Sequence, residues 1–192
     1  MAKRAAPFRQ GRPTALTSLV PIASIPAAEI DRLLDQAFGA DRRGRTAYKL
    51  REGAEAIPEL SFAAVEDGAP VGSIQCWPIE LTGSDGGTTP LILVGPVAVR
   101  PDRQRDGIGR LLMVEALGRA DAAGSDPMML IGDAVYYERF FGFSARHTQG
   151  WTLPGPVDRD RLLARLRAGQ TVPHQGSLGP RRAAALDRAI GD

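Results

Sequence analysis

The chain has 192 residues, 43% of them hydrophobic and 24% charged, with 24 basic against 22 acidic side chains and a net charge of +2. That length and balance fit one globular domain with a buried core, and so small and interspersed a charge argues against nucleic-acid binding. No apolar run approaches the ~18 residues that cross a bilayer, and Cys76, as the lone cysteine, excludes an internal disulfide and suits a reducing cytoplasm.

Residues 1–14 carry no apolar signal core and read as a disordered basic tail. A strand is expected over 15–22. Ser24 as N-cap and Pro26 as an early helical residue open a helix on which Ile30, Leu33, Leu34, Ala37 and Phe38 share a face until Gly39. A second helix is expected over 41–51, ending near Gly53. Arg42, Arg43 and Arg45 in it form a cationic cluster that reads as a solvated face. The stretches 60–65 and 71–81 flank Asp67-Gly68, a hairpin signal, and Pro78 marks an edge or bulge in the second of them. A loop over 82–90 leads to a strand over 91–99. The helix 108–123, ended by Gly124, lays Ile108, Leu111, Leu112, Ala116, Leu117 and Ala120 on one face. A short apolar strand follows at 128–131, and Asp133 is placed to cap a helix containing Tyr136 and Tyr137. A surface helix is expected over 158–167, and residues 169–192 read as a tail or short helix, the helix spanning 180–190. This order of strands and helices predicts one mixed α/β domain over 15–168.

The segment 94–110 carries the chemistry. A β-branched strand runs through Pro101 into Gln104-x-x-Gly107-x-Gly109 at a helix start. Glycines there let main chain approach an anion, and the helix turns its unpaired N–H groups and positive dipole end toward it, so the ligand is expected to carry phosphates. A Walker loop needs Gly-Lys followed by Ser or Thr, where Gly109 precedes Arg110 and Leu111. A dinucleotide fingerprint needs a third glycine where Leu112 stands. Arg100, Arg103, Arg105 and Arg110 form a second cationic cluster around the loop.

The strand Val97-Ala98-Val99, Pro101 and Gln104-x-x-Gly107-x-Gly109 together resemble the coenzyme A loop of the GNAT acetyltransferase superfamily. Asp133 to Phe143, with Tyr136, Tyr137, Gly142 and Phe143, is similar to that superfamily's last site helix and its Tyr-x-x-x-Gly-Phe signature. The stretches 37–43, 60–62 and 151–157 resemble one bacterial subfamily of N-acetyltransferases, so the likeness spans about residues 15–168. The resemblance implies the GNAT fold, an α/β (α+β) architecture. Its sheet is mixed, mostly antiparallel and twisted, with a splayed central parallel strand pair and flanking helices. It also implies acetyl-CoA as cosubstrate without a metal, and a small-molecule or peptide amine as acceptor. No membrane or nucleic-acid partner is expected, and a homodimer is left open.

On this likeness the main chain of Val97, Ala98 and Val99 meets the pantetheine arm. Gln104, Arg105, Asp106, Gly107, Ile108, Gly109 and Arg110 take the pyrophosphate, and a main-chain N–H near Val99 meets the thioester carbonyl. A tyrosine protonates the leaving thiolate, which a phenol with a pKa near ~10 can do at neutral pH. Tyr137 is the first choice and Tyr136 the second, because relatives read Tyr-Tyr-x-x-Phe-Gly-Phe and this chain has one residue more. Counted back from Gly142 the acid position falls on Glu138; counted forward from Asp133 it falls on Tyr137. Both tyrosines also suit a core beside Phe140, Phe141 and Phe143. The extra residue leaves open a non-catalytic acyl-CoA-binding or regulatory module. For a general base, Glu80, Glu115 and His147 are candidates by type alone. Cys76 reads as a packed residue, and Trp77 as either an acceptor-pocket wall or core.

Overall fold

The computed structural model describes residues 16–181, and among these an eight-stranded mixed sheet carries four α-helices. In chain order the elements are β1 (Ser18–Pro21), α1 (Ala27–Phe38), α2 (Thr46–Lys49), β2 (Phe62–Glu66), β3 (Ala69–Thr82), β4 (Thr88–Val99), α3 (Ile108–Ala122), β5 (Met128–Ile131), α4 (Ala134–Phe141), β6 (Gly150–Thr152), β7 (Leu162–Arg165) and β8 (Gln175–Pro180). The strand order β1-β2-β3-β4-β5-β7 is antiparallel except at β4–β5, while β8 extends β3 and takes β6 as a parallel neighbour. Short turns enforce the antiparallel part. At Asp67 and Gly68 φ is 49° and 79°, the left-handed pair that matches the twist of a two-residue hairpin. The parallel pair instead needs a long crossover, which α3 supplies.

Alternation along the strands sorts the core onto two faces. Phe62, Ala64, Ile74, Ile92, Val94, Met128 and Leu130 meet Leu112, Met113, Ala116 and Leu117 of α3. Ala63 and Ala98, one residue out of phase, meet Ile30, Leu33 and Leu34 of α1 on the other face. At Gly72 the α3 contact is so close that a Cβ would lie 2.7 Å from the Ile108 side chain. The buried stripe of α3 includes Met113, at 1% exposure, in place of the expected Leu111, at 42%.

Several local expectations are corrected. Pro26, not Ser24, sits at the N-cap of α1, and Ser24 Oγ donates to the Pro21 carbonyl at 2.7 Å. The expected helix 41–51 is a 3-10 turn (Ala40–Gly44), an extended Arg45 and the four residues of α2. The expected loop 82–90 shrinks to a turn over 83–87, because the β-branched threonines keep β3 and β4 paired as far as Thr82↔Thr88. The expected helix 158–167 is a 3-10 turn followed by β7, where Leu162, Leu163 and Ala164 are buried in succession. A strand covered on both faces accepts that pattern and an amphipathic surface helix does not. Within the expected C-terminal tail, Gln175–Pro180 forms β8. The basic tail 1–14 and residues 182–190 of the expected last helix lie outside the described residues.

Candidate active site

The parallel pair holds for only two registers, Ile92↔Met128 and Leu93↔Met129. Beyond them β4 bulges. Ile74 faces Val97 and Cys76 faces Val94, so the single Gln75 stands opposite both Gly95 and Pro96. The bulge turns β4 away from β5 and leaves 97–99 without a strand neighbour on that side. Arg100 N–H donates to the Val71 carbonyl at 2.9 Å. By the two-residue alternation of an antiparallel ladder, Ala98 then bonds toward β3, while the N–H and C=O groups of Val97 and Val99 project into the gap. The main chain of Val97 and Val99 thus faces the gap, and that of Ala98 faces β3.

The loop after β4 ends in Gly107, left-handed at φ 81°, as the N-cap of α3. No atom lies within 4 Å of where its Cβ would be, so conformation and not crowding demands glycine here. Arg105 is also left-handed, at φ 78°. The first helical bond joins Leu111 N–H to the Gly107 carbonyl at 2.9 Å. The N–H groups of Ile108, Gly109 and Arg110 therefore have no partner within the helix and face the loop. The arginine cluster is more divided than expected. Arg100 is bound to Asp102, and Arg103 to Asp106 at 2.8 Å and to the buried Glu66. Glu66 also accepts from Thr17 at 2.5 Å, so this group ties the loop to the end of β2. Gln104, Arg105, Asp106 and Arg110 are exposed around the helix start.

Asp133 begins α4 as expected, with Oδ1 accepting from Tyr136 N–H at 2.7 Å and its carbonyl from Tyr137 N–H at 3.0 Å. The helix then runs unbroken to Gly142, left-handed at φ 72°. One residue adds ~1.5 Å to a helix, and α4 takes its residues up without a bulge from its Asp133 cap onward. Glu138 is exposed. The Tyr137 ring packs over Gly132, where a Cβ would lie 2.7 Å from its Cδ2, and meets Phe143 edge-on at 6.2 Å. Burial, then neighbouring Tyr136 and Asp133, push the Tyr137 phenol above its usual value against the pull of Arg161, so it is protonated at neutral pH.

Two cavities meet at this tyrosine. A narrow one of about 220 Å³ runs along Val97, Val99, Gln104, Gly109, Met113 and both tyrosines. A wider one of about 590 Å³ lies between α2, the β4 bulge, the end of β5 and the 156–158 segment. Phe38, Val97 and Tyr137 border both; Tyr136 and Val99 border only the narrow one.

The wide cavity contains residues that sequence reasoning missed. Arg42, expected in a solvated cluster, is 2% exposed and holds Asp31 and Asp35 at 2.7 Å each, together with the Tyr48 hydroxyl. Burial opposes its charge, but the bonds to Asp35, Tyr48 and Asp31 outweigh it and raise its pKa. Tyr48 and Arg51 complete that wall. Their signal was the Tyr-x-x-Arg spacing, which brings two side chains to one side of a helical turn. Neither Glu80, Glu115 nor His147 borders either cavity; Asp133 and Asp158 are the carboxylates that border the wide one. Burial pushes the Cys76 thiol up to about 12, which suits a packed residue. Trp77 stacks behind Arg51. Among the described residues no His, Cys, Asp and Glu group is arranged to hold a metal, and no helix is long and apolar enough to cross a membrane.

Comparison with known proteins agrees with this geometry. Residues 27–143, more than half of the chain, match the acetyltransferase (GNAT) family. YjhQ of Escherichia coli K12, an uncharacterized N-acetyltransferase, is 27% identical over 135 residues, which are 70% of this chain and 74% of that protein. A GNAT family acetyltransferase from Brucella melitensis, solved in complex with acetyl-CoA, is 28% identical with a TM-score of 0.61, over 87% of this chain and 97% of its own. YhbS of Escherichia coli, a GNAT family N-acetyltransferase solved with CoA, shares the fold at a TM-score of 0.64 and 23% identity, over 90% and 94% of the two chains. With its strand edge open at Val97 and Val99 and a glycine-led helix start beside it, the chain belongs to the acetyltransferase (GNAT) family.

Proposed function

We propose that the protein moves an acetyl group from acetyl-CoA to an amine by direct attack on the thioester. The observation that carries this reading is the junction of the two cavities at Val97 and Tyr137. The narrow cavity has room for a pantetheine arm and leads from the anion-ready start of α3. The wide cavity is the acceptor side. Pyrophosphate oxygens accept from the N–H groups of Ile108, Gly109 and Arg110, and the pantetheine amides pair with the main chain of Val97 and Val99 as an added half-strand.

At the junction Val97 N–H, rather than one nearer Val99, meets the thioester carbonyl oxygen as charge builds there. The amine nitrogen bonds to the carbonyl carbon, the C–S bond breaks, the thiolate takes the Tyr137 phenol proton, and the remaining surplus proton on the new amide nitrogen restores the phenol. Asp133 and Asp158 are the carboxylates on the acceptor side; Oδ1 of each caps a turn, for Tyr136 N–H and Asp160 N–H, and the second oxygen of Asp158 draws the proton from the incoming ammonium.

The experiment is thiol release from acetyl-CoA over a panel of amines, together with calorimetric affinities for acetyl-CoA and acetyl-pantetheine. Gly107→Glu puts a side chain and a negative charge at the anion site in a backbone conformation that resists both. It is expected to lower acetyl-CoA affinity by about 10²-fold or more, the loss of several charge-assisted bonds. Folding should be kept at a cost of about 1–2 kcal/mol for a left-handed non-glycine residue, because nothing lies within 4 Å of the new Cβ. Equal affinity of the parent for acetyl-CoA and acetyl-pantetheine refutes the phosphate site.

A further inference from the structure

Arg51 follows α2 and is 7% exposed. Its guanidinium lies 3.9 Å from the ring centre of Tyr48 and 4.5 Å from that of Trp77. One terminal nitrogen donates to the Gly95 carbonyl at 3.4 Å, and the guanidinium also lies within hydrogen-bonding reach of the Tyr48 hydroxyl, which Arg42 engages. Among the described residues it forms no ion pair, whereas Arg42 beside it holds two aspartates. A guanidinium has five N–H donors and stays charged in proteins, and a buried cation without a carboxylate is costly unless a ligand completes it. Burial draws the Arg51 pKa down, and Arg42 adds to this while Tyr48 opposes it.

The two rings lie against the guanidinium, so its donors not used at Gly95 and Tyr48 are what remain for a ligand, and Arg51 borders the wide cavity. The other charges around that cavity balance. Arg42 and Arg43 together balance Asp31 and Asp35 of α1, and the exposed Arg45 and Arg161 stand against Asp133 and Asp158 on the rim. Arg51 is the excess charge.

We infer that the acceptor is a small amine that also carries an oxyanion, a carboxylate or a phosphate, bound by Arg51. The assignment rests on the acetyl-transfer reading and narrows it. Gly95, which Arg51 touches, stands two residues from Val97, roughly 7 Å along a strand. The amine at the thioester and the anion at Arg51 are therefore only a few bonds apart, as in an amino acid or an aminoalkyl phosphate. A cavity of about 590 Å³ fits such a molecule.

The test uses matched acceptors: amino acids, their amides, the corresponding decarboxylated amines, and aminoalkyl phosphates, each scored by kcat/KM for thiol release. The parent is expected to prefer the carboxylate or the phosphate member over its neutral counterpart by about tenfold or more, within the range for a charge-assisted contact. Whichever is larger names the oxyanion. Arg51→Gln should bring that ratio to near one, and Arg51→Lys, which keeps the charge but not the planar fork, should restore part of it. If neutral amines are turned over as well as their anionic partners, the oxyanion proposal fails and acetyl transfer stands. If no amine releases thiol, both fail. If Arg51→Gln lowers every acceptor alike, Arg51 only positions the β4 bulge, and the proposal is overturned. The parental ratio needs no variant, so a poorly folding Arg51→Gln does not rescue the idea.

Discussion

Replacing Tyr137 by Phe removes one hydroxyl and keeps the ring contacts that hold it, edge-on to Phe143 at 6.2 Å and packed over Gly132. The melting temperature should change little. Acetyl-CoA affinity should also survive, because it rests on main-chain N–H groups of β4 and α3. What is lost is the proton for the leaving thiolate, worth about 10² in kcat for a missing general acid, or about 2.7 kcal/mol of transition-state stabilisation. Tyr136, 37% exposed and bordering only the narrow cavity, should tolerate the same change within about twofold in kcat, since it does not border the junction where the two cavities meet. The pH profile gives an independent check. Because burial, then Tyr136 and Asp133, raise the Tyr137 phenol, the acid is present throughout the neutral range and is lost only as the pH rises through that raised value. Parental kcat should therefore hold its plateau to above pH ~10 before falling, and Tyr137→Phe should lack that alkaline limb. The assay is thiol release at saturating amine and acetyl-CoA. A Tyr137→Phe enzyme at parental kcat, or a loss that appears in Tyr136→Phe instead, refutes the assignment of the acid.

The parts of the site that were legible in the sequence are those built from local signals. Gly107 marks a left-handed turn before α3, and Asp133 and Gly142 mark the ends of α4, so the glycine-led start of α3 and the tyrosine helix emerge from neighbouring residues alone. The wall of the wide cavity was not legible, because its contacts are non-local. Arg42 is buried only because α1 brings Asp31 and Asp35 to it, and Arg51 is sandwiched only because β3 carries Trp77 behind it. In sequence both arginines look like surface charge. The misread 158–167 segment has a different cause. Three buried residues in a row at Leu162 to Ala164 suit a strand covered on both faces, and so short an apolar run cannot be told from a helix by periodicity. Choosing candidate bases by residue type gave no pointer to Asp158, which reaches the wide cavity through the fold.

Two ion-pair predictions test how the phosphate loop and the sheet edge are held. Glu66→Gln loosens the tie between β2 and the loop at Arg103, and is expected to cost about 1–3 kcal/mol of stability and to weaken acetyl-CoA binding several-fold. Unchanged affinity together with unchanged amide exchange at 103–107 would show that the tie does not organise the site. The second pair joins the end of α3 to β7, where both terminal nitrogens of Arg165 donate to Asp121, at 2.8 and 2.7 Å. The Arg165 hydrogen bonds lower the Asp121 pKa, burial works against them, and the charges of Arg165 and Arg167 add to the lowering. A carboxylate whose folded pKa lies below its unfolded value stabilises the fold above the unfolded value, and that contribution is lost as the pH falls through the folded one. Asp121→Asn should therefore be less stable than the parent at pH 7, by no more than about 1 kcal/mol because the pair faces solvent. Urea titrations should find the difference shrinking once the pH drops below about 4, the unfolded value of an aspartate. A gap between parent and variant that stays constant from pH 7 into the acid range would mean that the aspartate holds β7 through shape and neutral hydrogen bonding, and that its charge contributes nothing to the joint.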